Sequence, residues 1–239
     1  MKPLAFFLPI LLSALLPAQE SQTSITFRMV AWESGNPPAL AYVSGGEVIT
    51  IPSLDSTRRS HFLTYKGSGN LNFYDPTTIP AGEKEREKIK PLASVNIPNG
   101  FKYPLILLLP NPDGNPPFRH VVFDDDPSGF PFGTYLFQNF SKHKVAADMG
   151  GERFVVEPDR SQHLVSSDEK ALHLRLAVSE ETGKGWKMIF DSFYPNWEDR
   201  RTLIFVFEGN KNGRPRMEVR TLLENEAVWN AAFQKEKDE

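Results

Sequence analysis

Apolar and polar side chains alternate along most of this chain in short bursts. In "ITFRMVA", Ile25, Phe27, Met29 and Ala31 fall on one side and Thr26, Arg28 and Val30 on the other, the period-2 pattern of a strand with one buried face. "LHLRLAVS" repeats it, with Leu172, Leu174, Leu176 and Val178 inward and His173 and Arg175 toward water. "WKMIFD" is expected to turn Trp186, Met188 and Phe190 inward, and "GERFVVEP" and "RTLIFVFE" are β-branched and aromatic runs of strand length. The 20 prolines and 16 glycines between these runs supply the turns of an all-β protein. Helical spacing enters only at the end, where Val228, Trp229, Ala232 and Phe233 form an apolar stripe behind the capping residue Asn225. That stripe is expected to dock on the second half of the chain.

The strand pattern repeats. "YVSGGEVITIPS" from Tyr42 resembles "ADMGGERFVVEP" from Ala147, with Gly45 over Gly150, and "PLILLLPNPDGNPPFRHVV" from Pro104 resembles "TLIFVFEGNKNGRPRMEVR" from Thr202, with Leu105 over Leu203. Between these blocks "HFLTYKGSGNLNFYD" lies against "LHLRLAVSEETGKGWKMIFD". Both Gly-Gly pairs suit hairpin turns that need positive φ. About seven strands in each hundred residues is the spacing of an immunoglobulin-like or related β-sandwich. The expected fold is all-β: two tandem immunoglobulin-like β-sandwich repeats, residues 19–123 and 134–223, joined by a linker at 124–133 and followed by a short C-terminal helix and charged tail at 224–239.

The first residues change the compartment. Lys2, an apolar run from Pro3 to Leu16 and small residues around Ala18 read as a secretory signal peptide over residues 1–18. The run is too short for a comfortable membrane span, so the mature chain is expected to be exported, periplasmic or extracellular, without an integral membrane segment. The 239 residues contain no cysteine, which excludes thiol nucleophiles and cysteine-ligated zinc and leaves stability to core burial. With 27 Lys and Arg against 30 Asp and Glu there is no basic field to hold nucleic acid.

Candidate chemistry is sparse. The run "VVFDDDPSGFPFGTY" places Asp124, Asp125 and Asp126 at the junction of the repeats. Adjacent aspartates on an extended chain point to alternate faces and lack the spacing of a calcium loop, so they are expected to belong to a solvated, proline-stiffened linker. The five histidines show no metal-binding spacing and read as surface imidazoles. No cofactor or metal is expected, and no catalytic residue is singled out; a hydrolase would need carboxylates that converge only in the fold. "DSFYPNWEDRR" carries Phe193, Tyr194 and Trp197 between two strands, and aromatic rings on a sandwich edge are the means by which sugar rings and protein partners are held. These three are the candidate ligand-binding residues, against the plainer alternative that they cover the end of the core.

"FGTYLFQNFSKHKVAADMGGERFVVEP" resembles a pattern found in secreted bacterial β-sandwich proteins of unknown function: a strand ending in Asn, a hairpin with a Gly pair, then a strand ending near Pro. The resemblance covers about thirty residues and implies an envelope or secreted location, with no catalytic residues to carry over. The expected function is that of an exported, non-catalytic binding or structural protein of the bacterial cell envelope acting through protein-protein interaction. The alternative is a carbohydrate-binding module using the aromatic loop, with an envelope protein or a polysaccharide as the partner.

Overall fold

The computed structural model describes residues 23–32, 39–51, 53–67, 70–80, 82–111, 114–158, 162–179, 185–211 and 214–238. The expected signal peptide lies outside them. The first half contains β1 (Thr23–Ala31), β2 (Leu40–Ser44), β3 (Glu47–Ile51), β4 (Leu63–Gly67), β5 (Leu71–Phe73), the one-turn helix α1 (Glu83–Arg86), β6 (Ala93–Val95), β7 (Pro104–Pro110) and β8 (Phe118–Asp124). The second half contains β9 (Thr134–Asn139), β10 (Val145–Met149), β11 (Glu152–Val156), β12 (Gln162–Ser166), β13 (Ala171–Ser179), β14 (Trp186–Pro195), β15 (Arg200–Lys211), β16 (Arg214–Asn225) and α2 (Glu226–Asp238). Each half therefore has eight strands among the described residues, one more than the turn spacing suggested.

The duplication is visible in the topology. One sheet of the first half runs β4-β1-β7-β8, and its counterpart in the second runs β12-β9-β15-β16. The inner pairs β1–β7 and β9–β15 are parallel and the others antiparallel. The second sheet of the second half runs β11-β10-β13-β14. In the first half the β2–β3 and β5–β6 hairpins meet through a bridge at Ala41 and Tyr74, whose backbones exchange hydrogen bonds of 2.8 and 2.7 Å. That gives the matching order. Gly45 and Gly46 have φ of 58° and 90°, and Gly150 and Gly151 have φ of 57° and 83°, so both hairpins use the same left-handed turn.

The middle block of the sequence alignment is corrected by this topology. "HFLTYKGSGNLNFYD" covers β4 and β5, which lie in different sheets, whereas its assigned counterpart is the β13–β14 hairpin. In β8 and β16 the alignment also slips by one residue. Phe123 lies opposite Leu105 and Leu222 opposite Leu203, which makes Asp125 and Glu224 equivalent positions, two residues farther on.

Each sandwich has its own core. Phe27, Met29, Tyr42, Phe73 and Ile106 fill the first, and Phe137, Met149, Leu174, Leu176 and Ile204 fill the second. A third apolar cluster joins the halves: Val30, Leu105, Leu107 and Phe123 from one and Leu136, Leu203, Phe205 and Leu222 from the other, with Phe130 between them. The central strands of the β4-β1-β7-β8 and β12-β9-β15-β16 sheets are thus buried on both faces. This is why β7 and β15 read as unbroken apolar runs, and why Val30, assigned to an outward face by alternation, is buried.

Beside the third cluster lies a buried group of charges. Asp125 receives Nε and Nη2 of Arg59 at 2.9 and 3.0 Å. Glu224 receives Nε and Nη2 of Arg201 at 3.0 and 2.6 Å, and its other oxygen lies beside Arg28. Three guanidinium groups thus surround two carboxylates. Backbone carbonyls balance the excess: Arg28 donates to Ser60 at 3.0 Å, and Arg201 to Asp125 and Phe130 at 2.8 and 3.0 Å. Rings close around the charges, Phe62 against Arg28 and Phe130 and Phe132 against Arg201. Burial pushes the Glu224 carboxyl up, but Arg59, Arg28 and Arg201 together hold it below the usual carboxylate range.

The aspartate run is consequently no solvated linker. Asp125 and Asp126 are buried, and the chain from Asp126 to Phe130 folds into a turn in which the Asp126 carbonyl accepts from Gly129 and Phe130. The expectation erred because it judged the aspartates by their own spacing. The partners of Asp125, Arg59 and Arg201, lie far away in sequence.

The tail gives another correction. Asn225 Oδ1 accepts the Ala227 N–H at 2.8 Å, capping α2 as expected. Its Trp229 and Phe233, however, pack edge-on against Phe62 and Tyr103 of the first half at centroid distances of 5.2 to 5.9 Å. Val228 points to solvent. The long β16 carries the chain back to the junction, so the helix meets the opposite sandwich.

Candidate functional site

The outer sheet of the second half presents its free face to solvent. Along β13, Leu172, Leu174 and Leu176 enter the core, so His173, Arg175 and Ala177 stand on the outer face. On β14 the pairing places Phe193 beside His173, Asp191 beside Arg175, Met188 beside Ala177 and Trp186 beside Ser179. Leu176 pairs with Phe190 while Ala177 pairs with Met188, so Ile189 is an extra residue, a β-bulge. The bulge reverses the parity of the strand. Phe190 packs against the core, while Trp186 and Met188, expected inward, are 50% and 54% exposed.

Large side chains around small ones make a groove. Ala146 and Ala177 form its floor, and Val155, Trp186 and Met188 rise around it, enclosing about 480 Å³. At one end Arg153 and Arg175 both donate to Oδ2 of Asp148, at 3.1 and 2.6 Å. Asp191, the cross-strand neighbour of Arg175, instead meets His173 Nε2 at 2.6 Å. The His173 ring lies flat on Phe193, with centroids 4.3 Å apart and planes at 11°.

The three aromatic residues singled out in the sequence have separate surroundings. Phe193 is 71% exposed on the outer face, on the same stripe as Met188 and Trp186. Tyr194 takes the opposite face and packs on the second core, where burial raises its phenol pKa. Trp197 lies past the end of β14, with the Arg200 guanidinium 3.6 Å from its ring centroid. The segment taken as a loop is thus a strand as far as Pro195. Trp186 and Met188 were missed because strict alternation assigned them to the core; only the paired register of β13 exposes the extra residue.

Histidines take surface positions in the second half: His163 stacks on Phe154 at 3.9 Å and meets Glu152 at 2.9 Å. Among the described residues, no group of three or more His, Asp or Glu side chains is placed to hold a metal ion. No protein-family model matches the chain, and a search of curated proteins finds no match.

Proposed function

We propose that this is an exported, non-catalytic binding protein of the bacterial cell envelope that works through protein-protein contact, with the outer face of the second sandwich as its contact surface. The observation that carries this reading is the groove: two large apolar side chains, Trp186 and Met188, stand half in water over an alanine floor. A Trp and a Met beside arginines are the composition of an interface centre, where aromatic and Arg anchors carry most of the binding energy. Export is supported by the Lys2 charge and the apolar run from Pro3 to Leu16. Among the described residues no helix is long and apolar enough to cross a membrane.

The test is site-specific photocrosslinking in the producing cell. A photoreactive residue at Met188 is expected to give an adduct of defined mass, and one at the exposed Leu223 on β16 none. Equal labelling at both positions, or none at either, would sink the reading.

A second reading rests on Phe193. An exposed ring backed flat by His173 is a rigid platform of the kind that stacks against a sugar. Under it, the protein cosediments with insoluble polysaccharide, and Phe193→Ala or Trp197→Ala abolishes retention. Retention unchanged by both variants would dismiss it.

A further inference from the structure

We propose that the groove on the second sandwich receives a polypeptide segment of its partner, and that this segment carries a carboxylate beside an aliphatic side chain. This rests on the protein-binding reading above and adds the chemistry of the occupant. The first sandwich presents the equivalent face to its own chain. There the position of Ala146 is taken by Ala41, since each lies four residues before the Gly pair on the first strand of the hairpin, and Ala41 is fully buried where Ala146 is only half-buried. Across from the outward Val43 and Tyr74 runs the chain's own connection between β5 and β6, which brings Ile89 and Pro91 alongside them. In the second sandwich the corresponding strands, β13 and β14, are long and joined by six residues where β5 and β6 are joined by nineteen, and the described residues that line the groove all belong to the strands of the sheet itself. One copy of the fold therefore accompanies this face with polypeptide bearing an aliphatic side chain, and among the described residues the other leaves it open.

Charge selects the rest. Two guanidinium groups, of Arg153 and Arg175, share one oxygen of one carboxylate, Asp148, and Asp191, the cross-strand neighbour of Arg175, is engaged by His173. A second carboxylate at this end of the groove would complete the pairing, and the planar fork of Arg fits it in a bidentate way. The aliphatic side chain then lies over Ala146 and Ala177, between Trp186 and Met188.

The experiment pans the purified protein against a displayed library of random twelve-residue peptides and synthesises the consensus. The expected consensus places Asp or Glu within two positions of Ile, Leu or Val. Its affinity is expected to fall ~30-fold with Trp186→Ala, an anchor-sized loss, and ~10-fold with Arg175→Gln or when the peptide acid is replaced by its amide. Circular dichroism of both variants checks that the fold persists, as the exposure of these side chains predicts. Peptide binding indifferent to Trp186→Ala would overturn this inference and leave the protein-binding reading standing. Enrichment of peptides without acids would overturn the carboxylate. No enrichment, with polysaccharide retention that Trp186→Ala removes, would make the occupant a glycan and overturn both.

Discussion

Arg201 shows how much one side chain can be asked to hold. It is fully buried, bonds Glu224 on its neighbouring strand and ties the turn after Asp125 through two carbonyls. Breaking a buried ion pair from one side leaves a charge without a partner, at a cost of roughly 3–5 kcal/mol, whereas replacing the whole pair with apolar groups is far milder. Arg201→Met should therefore lower stability in urea by about that amount, and the double variant Arg201→Met, Glu224→Leu should recover a large part of the loss. The turn glycines give a finer contrast. Ala at Gly45 meets only the left-handed backbone cost of about 1 kcal/mol, because its nearest neighbour would be 4.0 Å away. Ala at Gly150 adds a 2.8 Å approach to Leu172, so Gly150→Ala should be the more destabilising of the two in the same measurement.

At the scale of elements, what could be read from the chain depended on distance. The strands of "LHLRLAVS" and the twin Gly-Gly hairpins declare themselves locally, because alternation and positive φ are properties of neighbouring residues. The same grammar misjudged Arg28, Val30 and Trp186. Arg28 and Val30 look outward until a second sandwich covers them, and Trp186 looks inward until a bulge three residues away reverses the strand. For the same reason the groove, built from four strands, had no signature in any one of them, while Phe193 did. The C-terminal helix was legible in its cap and its stripe but not in its destination. Trp229 is nearly buried in a four-ring cluster, and Trp229→Ala should cost about 3 kcal/mol or more and expose the tail to protease earlier than the rest of the chain. Equal protease resistance in the variant would show that the helix is held by other contacts.

The whole molecule depends on the face between its halves. Glu224 belongs to the second half, while Arg28 and Arg59 and the acid Asp125 belong to the first. Its carboxyl titrates lower when folded than its ordinary 4.5, so the folded protein binds fewer protons than the unfolded chain across the interval between the two values. The stability this supplies is complete above about pH 4.5 and drains away as pH falls through the depressed value. Thermal denaturation should show a steep acid limb there, flatter in Glu224→Gln, which should also be less stable near neutral pH. Each half expressed alone would expose Val30, Leu105 and Phe123, or Leu203, Phe205 and Leu222, together with its share of the charges. Two domains that look modular in sequence are therefore expected to unfold together, in a single transition in urea.

The packing of α2 against Phe62 and Tyr103 also bears on how the protein is made. The residues that finish the first sandwich are synthesised after all the strands of the second, so the order of completion runs against the order of translation. A stop codon at the beginning of α2 would leave all the described strands of both sandwiches in place, yet the damage would fall on the half made first.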